Sequence, residues 1–96
     1  MILEVAILNV IPDKTEEFEK AFSKAQLIIS SMKGYVSHDL KRCIEKSNQY
    51  ILTVDWQTLE DHEVGFRKSD EYLEWKALLH HFYDPFPVVE HYESIK

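Results

Sequence analysis

The sequence predicts one α+β domain, a split βαβ arrangement in the order β-α-β-β-α-β, with helices on one side of an antiparallel sheet. Three observations carry this. Residues 34–56 read as a two-strand hairpin around a polar turn, two stretches carry apolar residues at i, i+3, i+4 spacing, and apolar residues recur at period two along the first strand.

Ile2 to Ile11 is the first expected strand. Leu3, Val5, Ile7 and Ile11 fall on one face, while Ile2, Ala6, Leu8 and Val10 fall on the other with Glu4 as the exception. One layer of helices cannot cover two apolar faces, so a self-complementary pairing with a second copy is expected. Pro12-Asp13 ends the strand, and Asp13 with Glu16 suggests a capping box. Phe18, Ala21, Phe22, Ala25, Ile28, Ile29 and Met32 then mark an amphipathic helix with Gly34 as its C-cap. In the hairpin, Gly34 to Ile44 and Gln49 to Trp56 flank the turn Glu45-Lys46-Ser47-Asn48, where Asn tolerates positive φ. Thr58-Leu59-Glu60-Asp61 carries a helix-start pattern directly after Trp56. The helical region it opens, with Leu59, Glu63 and Phe66, is interrupted near Gly65 to Ser69. Ser69-Asp70 restarts it, and Tyr72, Trp75, Lys76, Leu79, Phe82 and Tyr83 continue at helical spacing. Asp84-Pro85-Phe86-Pro87 stops it, because proline lacks the donor and clashes backwards. Val88 to Glu93 reads as the last strand.

Ninety-six residues form a single domain, 1–96. With 45% hydrophobic and 29% charged residues, the chain reads as globular rather than disordered. Eleven basic against seventeen acidic side chains, a formal charge of −6, argue against a nucleic-acid surface. Cys43 is alone, which excludes a disulfide framework and suits a reducing compartment. No apolar run is long enough for a membrane span, and strand-like alternation from Ile2 leaves no room for a signal peptide, so the cytoplasm is the expected compartment.

No catalytic signature stands alone in this sequence. It has no Gly-rich phosphate loop and no nucleophile elbow. His80 and His81, adjacent on a helix, diverge by about a hundred degrees and read as helix-end histidines beside a negative dipole end. Glu60, Asp61 and Glu63 suit a first helical turn as a solvated face, whereas His62 is placed to turn inward as a neutral base. Three settings stand for the strand residues His38 and His91: a pocket, a dimer interface or a hydrogen-bonded core. Trp56, at a strand-to-helix junction, either fills core or walls a cavity.

Gly34-Tyr35, Tyr50 to Trp56, Glu60-Asp61-His62, Phe66-Arg67-Lys68-Ser69 and Val88 to Tyr92, in that order and spacing, resemble the antibiotic biosynthesis monooxygenase domain family over nearly the whole chain. The resemblance implies a ferredoxin-like domain that pairs sheet to sheet as a dimeric α/β barrel, with a pocket between sheet and helices. Members oxidise phenols or quinols with dioxygen and no cofactor, degrade haem, modify small signalling molecules, or have no known reaction. Trp56 matches the pocket-wall tryptophan; four residues earlier, where cofactor-free members carry Asn, this chain has Leu52. The haem-degrading branch places Asn, Trp and His where Ala6, Phe66 and Lys76 stand, so no haem turnover is expected. The function expected is a small cofactor-independent monooxygenase, a homodimer acting with dioxygen on a phenolic or quinol-like aromatic. His62 is the expected base, with His38 and His91 in reserve, and Trp56, Leu52, Phe66, Tyr72 and Trp75 are the expected walls. The alternative is a non-catalytic dimeric module that binds a small apolar ligand.

Overall fold

The computed structural model describes residues 1–95. Strand β1 (Ile2–Asn9) lies at the centre of a four-stranded antiparallel sheet, between β3 (Gln49–Trp56) and β4 (Val89–Glu93), and β2 (Tyr35–Arg42) forms the other edge. Helices α1 (Thr15–Ile29) and α2 (Asp70–Leu79) cross one face, and a π-helical turn, Asp61–Phe66, links β3 to α2. The ferredoxin-like α+β order is the one the sequence predicts.

Period-two burial explains the layering. Along β3, Tyr50, Leu52, Val54 and Trp56 are buried under the helices, and the residues between them are half-buried on the other face. In β1 the buried set is Glu4, Ala6 and Leu8. Helix α1 meets them with Phe18, Phe22, Ala25 and Ile29, spaced four, three and four apart, and α2 adds Trp75 and Leu79. The uncovered face centres on Leu3, Val5 and Ile7 of β1, whose direct partners on β3 are Asp55, Thr53 and Ile51. Among the described residues, no helix is long and apolar enough to cross a membrane.

The element ends differ from the sequence reading in several places. Asp13 does not cap α1; it sits in a 3-10 turn, Pro12–Lys14, and the helix starts after Lys14 with no side-chain cap. Helix α1 ends at Ile29 rather than at Lys33, so Gly34 does not cap it. Gly34 instead turns the chain into β2 at φ +83, and a Cβ there would fall 2.2 Å from the Asp61 carboxyl carbon. The first strand stops at Asn9, with Val10 making an isolated bridge to Tyr83.

Two caps were legible. Asp61 N–H donates to Thr58 Oγ1 at 3.1 Å, and Tyr72 N–H donates to Ser69 Oγ at 3.1 Å where α2 begins.

Candidate active site

Glu4 is the unexpected centre of the site. It points from the middle of the sheet into the core and is only 6% exposed. An ionised carboxylate there must find donors or take up a proton. The Trp56 indole N–H donates to its Oε1 at 2.9 Å, and His62 Nε2 lies 3.3 Å from the same oxygen. Burial outweighs the indole hydrogen bond and the Arg67 charge, and pushes the Glu4 carboxyl up to about 7.

The π-turn explains why His62 faces inward. Its wider winding, with Arg67 N–H bonded to the His62 carbonyl, brings His62 and Phe66 together onto the buried side. His62 is 3% exposed and stacks on Trp56, with centroids 5.4 Å apart and planes 22° from parallel. Its Nδ1 meets His91 Nε2 at 2.7 Å. Burial, reinforced by the His91 and Arg67 charges, lowers the His62 pKa to about 3, so the ring is neutral at physiological pH. His91 stands directly opposite Glu4 in the β1–β4 pairing, and its Nδ1 is 3.9 Å from Glu63 Oε1 at the surface. A continuous line of polar side chains thus runs Trp56, Glu4, His62, His91, Glu63.

Glu4 and His62 form part of the wall of a cavity of about 50 Å³ between sheet and helices. Its apolar lining includes Ala6, Leu8 and Leu52 from the sheet, with Phe66, Tyr72 and Trp75 from the helical side. The loop after α2 adds Tyr83, Phe86 and Pro87, and Arg67 and His80 complete the polar part. Arg67 lies over the Tyr72 ring, 5.9 Å from its centroid. His80 packs against Tyr72, Tyr83 and Phe86, and its Nδ1 is buried with no hydrogen-bond partner among the described residues. The cavity exceeds the roughly 10–15 Å³ that a water needs, and is well below the roughly 300–1,000 Å³ of drug-sized ligand sites.

The sequence-predicted residues divide accordingly. His62, Leu52, Phe66, Tyr72 and Trp75 line the cavity. Trp56 is fully buried behind His62 and touches Glu4, so it backs the wall rather than forming it. His91 stands in a second row behind His62. His38 lies elsewhere: the Tyr35 hydroxyl donates to its Nδ1, and its Nε2 donates to Gln26 Oε1 at 3.0 Å, tying β2 to α1. The sequence reading did not place Glu4, Arg67, His80 or Tyr83 in the site. The signal for Glu4 was present, as a lone acid on an otherwise apolar inward face. His80 was read as an ordinary helix-end histidine, whereas the 3-10 turn His80–Phe82 carries it to the cavity. Among the described residues, no group of three or more His, Cys, Asp and Glu side chains is arranged to hold a metal ion. Of the positions compared with haem-degrading proteins, Ala6 and Phe66 line the cavity, and Lys76 is exposed on α2.

Fold and site together define a small α+β protein with an aromatic-lined cavity and a buried acid–histidine pair in its wall. The chain belongs to the antibiotic biosynthesis monooxygenase family, whose model matches residues 1–78. It is 54% identical over 95 residues to the uncharacterized protein YczJ of Bacillus subtilis (strain 168), covering 99% of this chain and 100% of that one. A Bordetella bronchiseptica protein assigned to the same family superposes with a TM-score of 0.93 at 32% identity, over 99% of this chain and 97% of that one. SnoaB, a cofactor-independent oxygenase from Streptomyces nogalater, shares the fold with a TM-score of 0.77 at 20% identity, over 99% of this chain and 93% of that one.

Proposed function

We propose that this protein is a cofactor-independent monooxygenase acting on a compact phenolic or quinol-like aromatic. The observation that carries the reading is the Glu4–His62 pair in the wall of an aromatic cavity. An electron-rich phenolate hands an electron to dioxygen directly, so the protein has to bind a ring, remove a proton and exclude bulk water. A carboxyl held near 7 is matched to neutral pH as a proton acceptor. His62, neutral and touching that carboxyl, shares the proton, so the role that the sequence suggests for His62 passes to the pair. Phe66, Tyr72 and Trp75 supply apolar faces for the ring, and Arg67 supplies positive charge for the developing anion. A quinol plus dioxygen gives a hydroxyquinone plus water, which balances without an external reductant. The small cavity favours a single-ring substrate whose entry displaces Arg67 and Phe86, both exposed at the cavity wall.

The uncovered sheet face supports a homodimer, with Leu3, Val5, Ile7 and Ile51 at the centre of the contact. A single free cysteine, Cys43, suits a cytoplasmic protein.

The reading is tested in an oxygen electrode with a panel of single-ring quinols, with labelled dioxygen to follow the inserted atom. The expected result is one dioxygen consumed per quinol and one labelled oxygen in the hydroxyquinone. Leu52, in place of the Asn of cofactor-free members, favours a second reading, a dimeric module that binds a small apolar ligand without turnover. Thermal stabilisation by a quinol with no oxygen uptake would select it.

A further inference from the structure

We propose that Glu4, His62 and His91 form a proton wire that connects the inner wall of the cavity to the protein surface at Glu63. Its purpose, carrying away the proton that a bound phenol releases, rests on the reading above; its existence does not.

The geometry supplies the links from Glu4 to His91 and leaves the Glu63 carboxylate just beyond hydrogen-bond reach of His91. Glu4 stands in the cavity wall, His62 Nε2 is 3.3 Å from its Oε1, and His62 Nδ1 is 2.7 Å from His91 Nε2. His91 Nδ1 then faces the Glu63 carboxylate at 3.9 Å, and exposure rises from 4% and 8% for the His62 and Glu4 side chains to 18% for His91 and 52% for Glu63. An imidazole conducts only when it receives at one nitrogen and releases from the other, and both nitrogens of His62 are placed for this.

The transfer balances as follows. In the loaded state the Glu4 carboxylic acid donates to His62 Nε2, and the His62 Nδ1–H donates to His91 Nε2. The Glu4 proton moves to Nε2 as the Nδ1 proton moves to His91. Glu4 is left as a carboxylate, His62 as the other neutral tautomer, and His91 as an imidazolium beside Glu63. Water takes the Nδ1 proton from His91, which completes one outward transfer; uptake of a proton at His91 Nδ1 runs the same step backwards and reloads Glu4 and the first His62 tautomer. A concerted step never leaves the positive charge on His62, which suits a ring that burial keeps from protonating.

The groups around the wire agree with this direction. Arg67 lines the same cavity as Glu4 and His62, and its charge favours the carboxylate left behind. The Trp56 N–H donates to the same Glu4 oxygen and does likewise. Glu63 is the negative group at the outer end, where the charge emerges. His62 is the ionisable group that contacts both Glu4 and His91.

The test needs no substrate. Time-resolved infrared spectroscopy follows the Glu4 carboxylic-acid stretch, assigned by its loss in Glu4→Gln, after a rapid pH jump across its titration. In His91→Gln the amide oxygen still accepts from His62 Nδ1–H but cannot relay a proton, so the midpoint of the titration stays while the relaxation slows. The slowing expected is about 10²-fold or more, the scale on which a positioned acid–base group acts. Added imidazole should restore the rate in His91→Ala, where it occupies the vacated site, and a purely structural His91 would show no such rescue. Unchanged relaxation in both variants would overturn the wire and send the proton out through the cavity mouth. So would the absence of any Glu4 acid band in the neutral range. A negative oxygen-uptake result would touch only the oxygenase reading.

Discussion

The Trp56 indole N–H donates to Glu4 Oε1 at 2.9 Å inside the core, although 52 positions separate the two residues. The hydrogen bond joins the two central strands beneath the helices and holds the carboxyl against His62. Trp56→Phe keeps an aromatic face for His62 but removes the donor. A buried acceptor that loses its partner costs roughly 1–3 kcal/mol. Urea denaturation should show a loss of that order, and the Glu4 titration should move further upward, because the indole hydrogen bond is what lowers it. A variant as stable as the wild type would mean that the hydrogen bond contributes little.

The pair also sets the pH dependence of stability. Glu4 rises from 4.5 to about 7 on folding, so the native state holds that proton more tightly and stability falls as pH rises through that window. His62 drops from 6.5 to about 3, so the unfolded state holds its proton more tightly and stability falls as pH drops below 6.5. Between 4.5 and 6.5 the two slopes oppose and cancel. Relative to the wild type, Glu4→Gln should gain stability with rising pH across that range, and His62→Gln should lose it, each by about 1.4 kcal/mol per pH unit at most. Parallel curves for the three proteins would remove the opposed titrations.

His80 gives a test with the opposite sign. Its Nδ1 is buried without a partner among the described residues, which costs a folded protein roughly 1–3 kcal/mol. His80→Phe keeps the packing against Tyr72, Tyr83 and Phe86 and removes the orphaned atom. Denaturation midpoints should stay level or rise. A loss of more than about 1 kcal/mol would show that Nδ1 has a hydrogen-bond partner after all.

Much of this architecture was legible because it rests on local periodicity. The alternation in β3 and the spacing of Phe18, Phe22, Ala25 and Ile29 require one buried face each, and the caps at Thr58 and Ser69 mark where helices begin. The inward turn of His62 and the aromatic walls Phe66, Tyr72 and Trp75 follow from the same spacing. What spacing could not show was pairing between distant strands. Glu4 meets His62 and Trp56 only through the β1–β3 register and the π-turn, and His91 reaches them only because β4 pairs with β1 at Glu4. His80 was hidden by the change from α-helix to a 3-10 turn at its own position. His38 looked like a candidate because it is an inward strand histidine, but Tyr35 and Gln26 occupy both of its nitrogens.

The open sheet face makes its own prediction. Ile51 pairs with Ile7 at its centre, and a second copy would bury both. Ile51→Glu should convert a dimer into a folded monomer, read by size-exclusion chromatography with light scattering. A wild type that elutes as a monomer at micromolar concentration would contradict the proposed assembly.

The most direct measurement is the kcat of quinol-dependent oxygen uptake in the wild type, Glu4→Gln and His62→Ala, each confirmed as folded. A general base contributes about 10²–10⁴-fold, so both variants should fall by that factor, while Lys76→Gln, exposed on α2 away from the cavity, stays close to the wild type. Uptake that survives both substitutions within about twofold, far below that range, would contradict the pair as the base.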